Sequence, residues 1–192
     1  MSIQRIHAID MPAQPWRNGG GQTRELLAWP AGAHWQVRIS RADIDHDGPF
    51  SAFPQVERWF AVLQGRGVML DLHGTVRSVA LGDEALRFDG AAAPGCRLID
   101  GPTQDLNLMV REGTGLMWRW QSGSACAETH AMRGLYTTMD GRWTCATHSL
   151  DITADTLLWS TGGMAGPWTF EPRSATHRDN DSAWWLGFTP RD

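Results

Sequence analysis

Apolar residues in this chain come in short runs punctuated by glycine, proline and aspartate, and nowhere in residues 1–112 do they recur at a helical spacing. That pattern leaves little room for helices. Trp35-Gln36-Val37-Arg38-Ile39-Ser40 alternates apolar with polar residues, as a strand with one buried face does. Trp59–Leu63 and Val68–Leu72 are apolar runs joined by Gln64-Gly65-Arg66-Gly67, which reads as a β-hairpin. Ile3–Ile9 reads as a short edge strand, and Val76–Leu81, Ala85–Phe88 and Leu106–Val110 continue the series. A seam falls at Arg111–Gly115. Beyond it, Leu116–Gln121, Ala131–Thr138, Trp143–Ser149, Asp155–Ser160 and Ala183–Phe188 read as strands, and Glu171–Ser182 as a polar loop. Short strands with turn residues between them predict an all-β barrel or sandwich. No sequence repeat links the two parts, yet their strand counts match. The expectation is a tandem arrangement, a first barrel over residues 1–112 and a second, degenerate one over 113–192 packed on it.

A chain of 192 residues buries enough surface to fold without staples. Its net charge of −4 and the lack of any basic run speak against nucleic acid as a partner. All 17 basic residues are arginines, which excludes Schiff-base lysine chemistry and the phosphate-binding P-loop. Cys96, Cys126 and Cys145 are odd in number and form no CxxC, so they point to neither a disulfide framework nor a zinc site. Unreactive thiols in a reducing cytoplasm are the expectation. No apolar run reaches membrane-spanning length, and Met1-Ser2-Ile3-Gln4-Arg5 starts no signal peptide, so no membrane partner is expected. A homodimer is left open. Eleven tryptophans stand against one tyrosine, and rings of that size wall pockets or interfaces as well as cores.

The stretch richest in binding chemistry is Pro15-Trp16-Arg17-Asn18-Gly19-Gly20-Gly21-Gln22-Thr23-Arg24. Trp16 offers a flat apolar wall with one N–H, and Arg17 a planar fork matched to a carboxylate. Asn18 tolerates left-handed backbone. Gly19, Gly20 and Gly21 could turn successive N–H groups toward one point as an anion nest, or could merely let the chain turn a corner. Together these groups suit a small carboxylate.

Several motifs resemble the HutD/Ves family. Pro15–Glu25 resembles its N-terminal signature. Asp47-Gly48-Pro49-Phe50-Ser51-Ala52-Phe53-Pro54 resembles its second, and Phe88-Asp89-Gly90 followed by Gly101-Pro102 with Asp105–Arg111 its third. The resemblance implies a cupin-type double-stranded β-helix, here a compact bicupin, and an association with bacterial histidine utilisation without an established catalytic reaction. It narrows the carboxylate to histidine-degradation metabolites such as urocanate or an N-formylated or N-formimino glutamate. Cupins often hold a metal through a His-x-His pair, a glutamate and a later histidine. Here Phe50-Ser51-Ala52-Phe53 stands where the pair would fall, Glu57 stands alone, and no histidine lies near Pro102–Asn107. Neither a metal nor another cofactor is expected.

The candidate ligand-facing residues are Trp16, Arg17, Asn18, Gly19, Gly20, Gly21, Thr23, Arg38, Ser40, Glu57, Arg58, Asp105 and Asn107, with Phe50 and Arg111 beside them. Alternation puts Arg38 with Ser40, and Asp105 with Asn107 and Met109, without saying which face is inside. An inward Arg38 needs an anion, which Glu57, Asp105 or a ligand could supply. Two other readings stand beside metabolite binding. One is a metal-free cupin enzyme, an isomerase or hydrolase pairing Glu57 with a nearby base. The other is an interaction module with a tryptophan face.

Overall fold

A computed structural model describes residues 3–127, 130–146, 148–162, 166–174 and 180–191. The predicted polar loop Glu171–Ser182 lies partly outside these, at residues 175–179. Among the described residues the regular structure is all strand, apart from the 3-10 turns Ala8–Asp10 and Gly90–Ala92.

The strands form four sheets. A six-stranded sheet runs in the order Ala13–Pro15, Gly21–Trp29, Val37–Ile44, Thr103–Val110, Glu57–Gln64 and Leu86–Asp89. A four-stranded sheet, Gly48–Pro49, Gly95–Leu98, Val68–Leu72 and Thr75–Val79, faces it. Ile44, Phe60 and Val62 of the first sheet pack with Val68, Leu70, Val79 and Cys96 of the second, closing one barrel core. A five-stranded sheet runs Ile3–His7, Thr156–Ser160, Met132–Thr137, Ala183–Thr189 and Thr114–Arg119. Its four-stranded counterpart is Ala125–Cys126, Trp168–Pro172, Gly141–Cys145 and His148–Ile152. Leu135, Leu158 and Trp185 meet Trp143, Trp168 and Phe170 in that barrel's core. The largest cluster lies between the six- and five-stranded sheets. It joins Val37, Ile39, Leu106 and Leu108 to Tyr136, Leu157, Trp159, Trp184 and Leu186, so the two barrels stand back to back.

Strand order repeats. From Val37–Ile44 to Leu86–Asp89 in the first large sheet, and from Thr114–Arg119 to Thr156–Ser160 in the second, the strands follow one another in the same sequence; so do those of the two small sheets. The chain therefore carries a topological repeat that its sequence does not display.

Two sequence expectations need correction. Glu57–Gln64 and Val68–Leu72 are not a hairpin, because they belong to different sheets. Gly65 and Gly67, at φ 92° and 119°, carry the chain around the barrel corner instead. A Cβ on Gly67 would stand 2.5 Å from the Val79 carbonyl oxygen, so only glycine fits there. The true hairpin turn is His73-Gly74, at φ 54° and 86°, between Val68–Leu72 and Thr75–Val79. Two adjacent positive φ values are what a two-residue turn of matching twist requires. The predicted edge strand is an edge strand, but it ends at His7 and pairs with Thr156–Ser160 of the five-stranded sheet.

Candidate functional site

Register on the six-stranded sheet sets the site. Residues opposite one another on adjacent strands share a face. Arg38, Met109 and Arg58 form one row on the inner face. Ser40, Asn107 and Phe60 form the next, and Ala42, Asp105 and Val62 the one after. The first two rows line a cavity of about 570 Å3, which takes in Arg38, Met109, Arg58, Ser40 and Asn107. Ala42 and Thr23 extend its wall along the sheet, and Trp16, Arg17, Asn18, Phe50, Ser51 and Phe53 close the mouth. That volume suits a small metabolite.

Arg58 is the most buried arginine of the lining. It is only 7% exposed, and its Nε and Nη2 both donate to the Asn107 Oδ1, at 2.9 and 2.6 Å. Its guanidinium lies 4.3 Å from the centre of the Phe50 ring. Burial lowers its pKa to about 9, against the opposing pull of Asp105. It stays protonated at neutral pH, beside a neutral amide rather than a carboxylate. Nη1 makes no hydrogen bond to any described residue.

Arg38 is inside, and its anion is Glu25, one strand over, at 2.6 Å from Nε. Glu25 lies within the first motif. Arg17 is exposed and makes no hydrogen bond or ion pair with the described residues. The lining thus holds three arginines, one of them offset, and among its residues no aspartate, glutamate, histidine, cysteine or tyrosine.

The glycines do not form an anion nest. Gly19 N–H donates to the Trp16 carbonyl at 3.0 Å, and Gly20 N–H to Asn18 Oδ1 at 3.0 Å, so both donors are consumed inside the turn. The Gly20 carbonyl accepts from the Asp45 and His46 amides, clamping the loop to the chain beyond Ile44. A Cβ on Gly21 would stand 2.2 Å from the Asp43 carbonyl oxygen. These glycines hold the loop in place, and Trp16, Arg17 and Asn18 face the cavity from it. Trp16 Nε1 is also occupied, donating to Thr23 Oγ1 at 2.8 Å. The ring therefore presents its apolar surface, edge-on to Phe50 at 6.5 Å.

Three other candidates fall outside the cavity. Glu57 neighbours Arg58 on one strand, so it points to the opposite face. Its carboxylate there accepts from Trp59 Nε1 at 3.0 Å and Arg87 Nε at 2.7 Å. Asp105 is on the correct face but one row too deep, fully buried behind Asn107. Arg111 stacks on Trp35, 4.5 Å from the ring centre. Gln14, Pro49, Ser51, Phe53 and Met109 also line the cavity, and Met109 shares the face of Asn107, as alternation requires.

A second cavity, also about 570 Å3, opens at the other end of the same strands. Gln22, Asp43, Gln64, Arg66, Thr103 and Gln104 line it. Its Asp43 is already satisfied by Gln22 and Arg41, whereas the first cavity offers a buried cation with a free donor. Among the described residues no three histidine, cysteine, aspartate or glutamate side chains gather as a metal site would need. The three cysteines are buried, and burial pushes the Cys96 thiol up to about 12.

A family model described as HutD matches residues 8–176. A Pseudomonas putida protein described as an uncharacterized 21.2 kDa protein in the hutC 3′ region is 37% identical over 111 residues, covering 56% of this chain and 57% of that one. Protein Ves of Citrobacter koseri is 37% identical over 105 residues, 53% of this chain and 54% of that one. The chain thus spans a little over half the length of these curated relatives. Among solved structures, HutD from Pseudomonas fluorescens SBW25 (formate condition) superposes with a TM-score of 0.83 at 25% identity, covering 100% of both chains. An oxalate decarboxylase of Bacillus subtilis superposes with a TM-score of 0.61 at 10% identity, over 99% of this chain and 78% of that one. That second likeness is one of fold alone, the cupin-type barrel.

Proposed function

Because this chain belongs to the HutD family, we propose that it is a cytoplasmic binding protein for a small carboxylate metabolite of histidine degradation, one that modulates that pathway without catalysing a step of it. Urocanate and N-formylated or N-formimino glutamates are the metabolites in view. The relative from the hutC region of Pseudomonas putida supports the pathway. The observation that carries the reading is Arg58, a buried cation whose side-chain partner is a neutral amide and whose Nη1 is left for a ligand at the floor of the cavity. A buried charge needs a counter-charge, and a ligand carboxylate supplies one with charge-assisted hydrogen bonds. Acid–base catalysis has less support. The lining offers no group that titrates near neutrality, and Glu57, the carboxylate an enzyme would have called on, faces away. In this reading residues 1–112 carry the site and residues 113–192 form a second half packed on it, with Ile3–His7 crossing between them.

Calorimetry and thermal shift with urocanate, N-formylglutamate and N-formiminoglutamate test the reading. A ligand selective for the folded protein must raise its melting temperature. Binding should weaken about 10- to 100-fold in Arg58→Met, the worth of a charge-assisted hydrogen bond, and less in the exposed Arg17→Ala. No stabilisation by any of the three at millimolar concentration refutes it.

A further inference from the structure

Asp105 is the one carboxyl among the fully buried polar residues described, at 0% exposure. It lies on the inner face of the first barrel, one row behind Asn107. Oδ2 accepts a hydrogen bond from the Thr103 hydroxyl at 2.8 Å, and Oδ1 has no partner. Arg58 does not pair with it, because that guanidinium is turned onto Asn107. The barrel therefore holds a cation and a carboxyl in sequence, separated by an amide, with one carboxyl oxygen unsatisfied. An ionised carboxylate so placed is the state that burial disfavours most.

We propose that anion binding in the cavity is coupled to uptake of a proton by Asp105, so that the site takes its carboxylate together with a proton. The inference rests on the reading of the cavity as a carboxylate site. An anion on Arg58 offsets the positive charge that favours ionised Asp105, and it adds a negative charge of its own beside Asn107. Each change makes the neutral carboxyl the better neighbour. Linkage then requires the converse: a protonated Asp105 strengthens anion binding. Four groups act on the carboxyl. Arg58 favours its ionisation and Asp43, across the sheet, opposes it. Asp43 is itself held by Gln22 and Arg41. The Thr103 hydroxyl stabilises the charge, and the Cys96 thiol is kept neutral by burial. Burial outweighs the rest and raises the Asp105 pKa well above the ordinary carboxylate range. Thr103, whose hydroxyl donates to Asp105 Oδ2, also lines the second cavity, at the end of the barrel away from the ligand.

The test is the pH dependence of N-formylglutamate binding to the full chain, wild type against Asp105→Asn. This probe has no group of its own that titrates above about pH 5, whereas the imidazole of urocanate does. For the wild type, affinity should fall by up to tenfold per pH unit as pH rises through the Asp105 window. Calorimetry in buffers of different ionisation enthalpy should show net proton uptake within that window. Asp105→Asn, neutral at every pH, should hold the low-pH affinity up to the pH at which Arg58 begins to lose its own proton, and below that point should bind more tightly than wild type as the wild-type affinity falls. Parallel pH profiles overturn the coupling, as does a folded Asp105→Asn that binds weakly at every pH. A ligand-free measurement separates the two readings. A folded-state pKa above the unfolded value of about 3.9 means that the folded protein holds the extra proton. Stability then falls as pH rises from about 4 to the folded-state value and levels off above it, a slope that Asp105→Asn should lack. If that slope is found but no probe binds at any pH, the carboxylate reading fails while Asp105 still titrates, and the coupling fails with the reading. If the slope is missing, the coupling fails alone.

Discussion

The two barrels share a strand order and differ in what fills them. Across three strands of the first, the second inner row reads Ser40, Asn107 and Phe60. At the same place in the second it reads Trp118, Trp185 and Leu135. Around Trp185 the rings of Trp143 and Trp168 lie at 65° to 83° in edge contacts, Trp143–Trp168 at 4.9 Å and Trp168–Trp185 at 6.4 Å. Both barrels place an arginine second on the equivalent strand, Arg58 and Arg133, at 7% and 6% exposure and each over an aromatic ring. In the first barrel that arginine faces a cavity; in the second it lies over Trp168 of a packed tryptophan core. Small polar residues in one row leave room for a ligand, and tryptophans in that row turn the same scaffold into a core. The site is therefore a property of a few inner-row residues, and the fold alone does not supply it.

The comparison can be broken at either barrel. Trp185→Ala should have the largest effect, about 3–5 kcal/mol of stability lost to the cavity left behind. Denaturant unfolding measures it, and the surviving folded fraction should bind carboxylates with unchanged affinity if the barrels divide their tasks. Asn107→Asp acts on the other side. It gives Arg58 a protein counter-charge, so carboxylate binding should weaken at least tenfold, about 1.4 kcal/mol, while the melting temperature holds or rises. A melting temperature that falls with affinity would mean that Asn107 supports the fold before the site. The smallest effect belongs to Arg142→Ala, which removes the Arg142–Asp151 pair on the outer face of the second barrel. Exposed pairs contribute little, so the unfolding midpoint should not move measurably.

Much of the fold was legible because alternation is a local signal. Arg38 with Ser40, and Asn107 with Met109, share a face as the period of two requires. The same alternation separates Glu57 from Arg58: adjacent on one strand, they cannot both line one cavity. Pairing partners were not legible. A Gly-rich link between apolar runs looks the same whether the chain folds back on itself or turns a barrel corner, and Gly65-Arg66-Gly67 does the second. Glu25 as the partner of Arg38 depends on register across neighbouring strands, with a bulge between Glu25 and Leu27. The tandem repeat was hidden because it is written in strand order. Residues such as Asn107 and Trp185 occupy the same place with no chemistry in common.

Ile3–His7 pairs with Thr156–Ser160, residue for residue from Ile3↔Ser160 to His7↔Thr156. A strand from the start of the described chain thus finds its ladder near the other end. Contacts so distant in sequence are formed late, since the entropy of closing the intervening loop must first be overcome. During synthesis, this strand would leave the ribosome long before its partner does, with its backbone donors and acceptors still facing water. The two halves are consequently tied together by this ladder: a cut at the seam near residue 112 would leave the five-stranded sheet without its edge strand, and the loss would fall on the barrel with the packed tryptophan core.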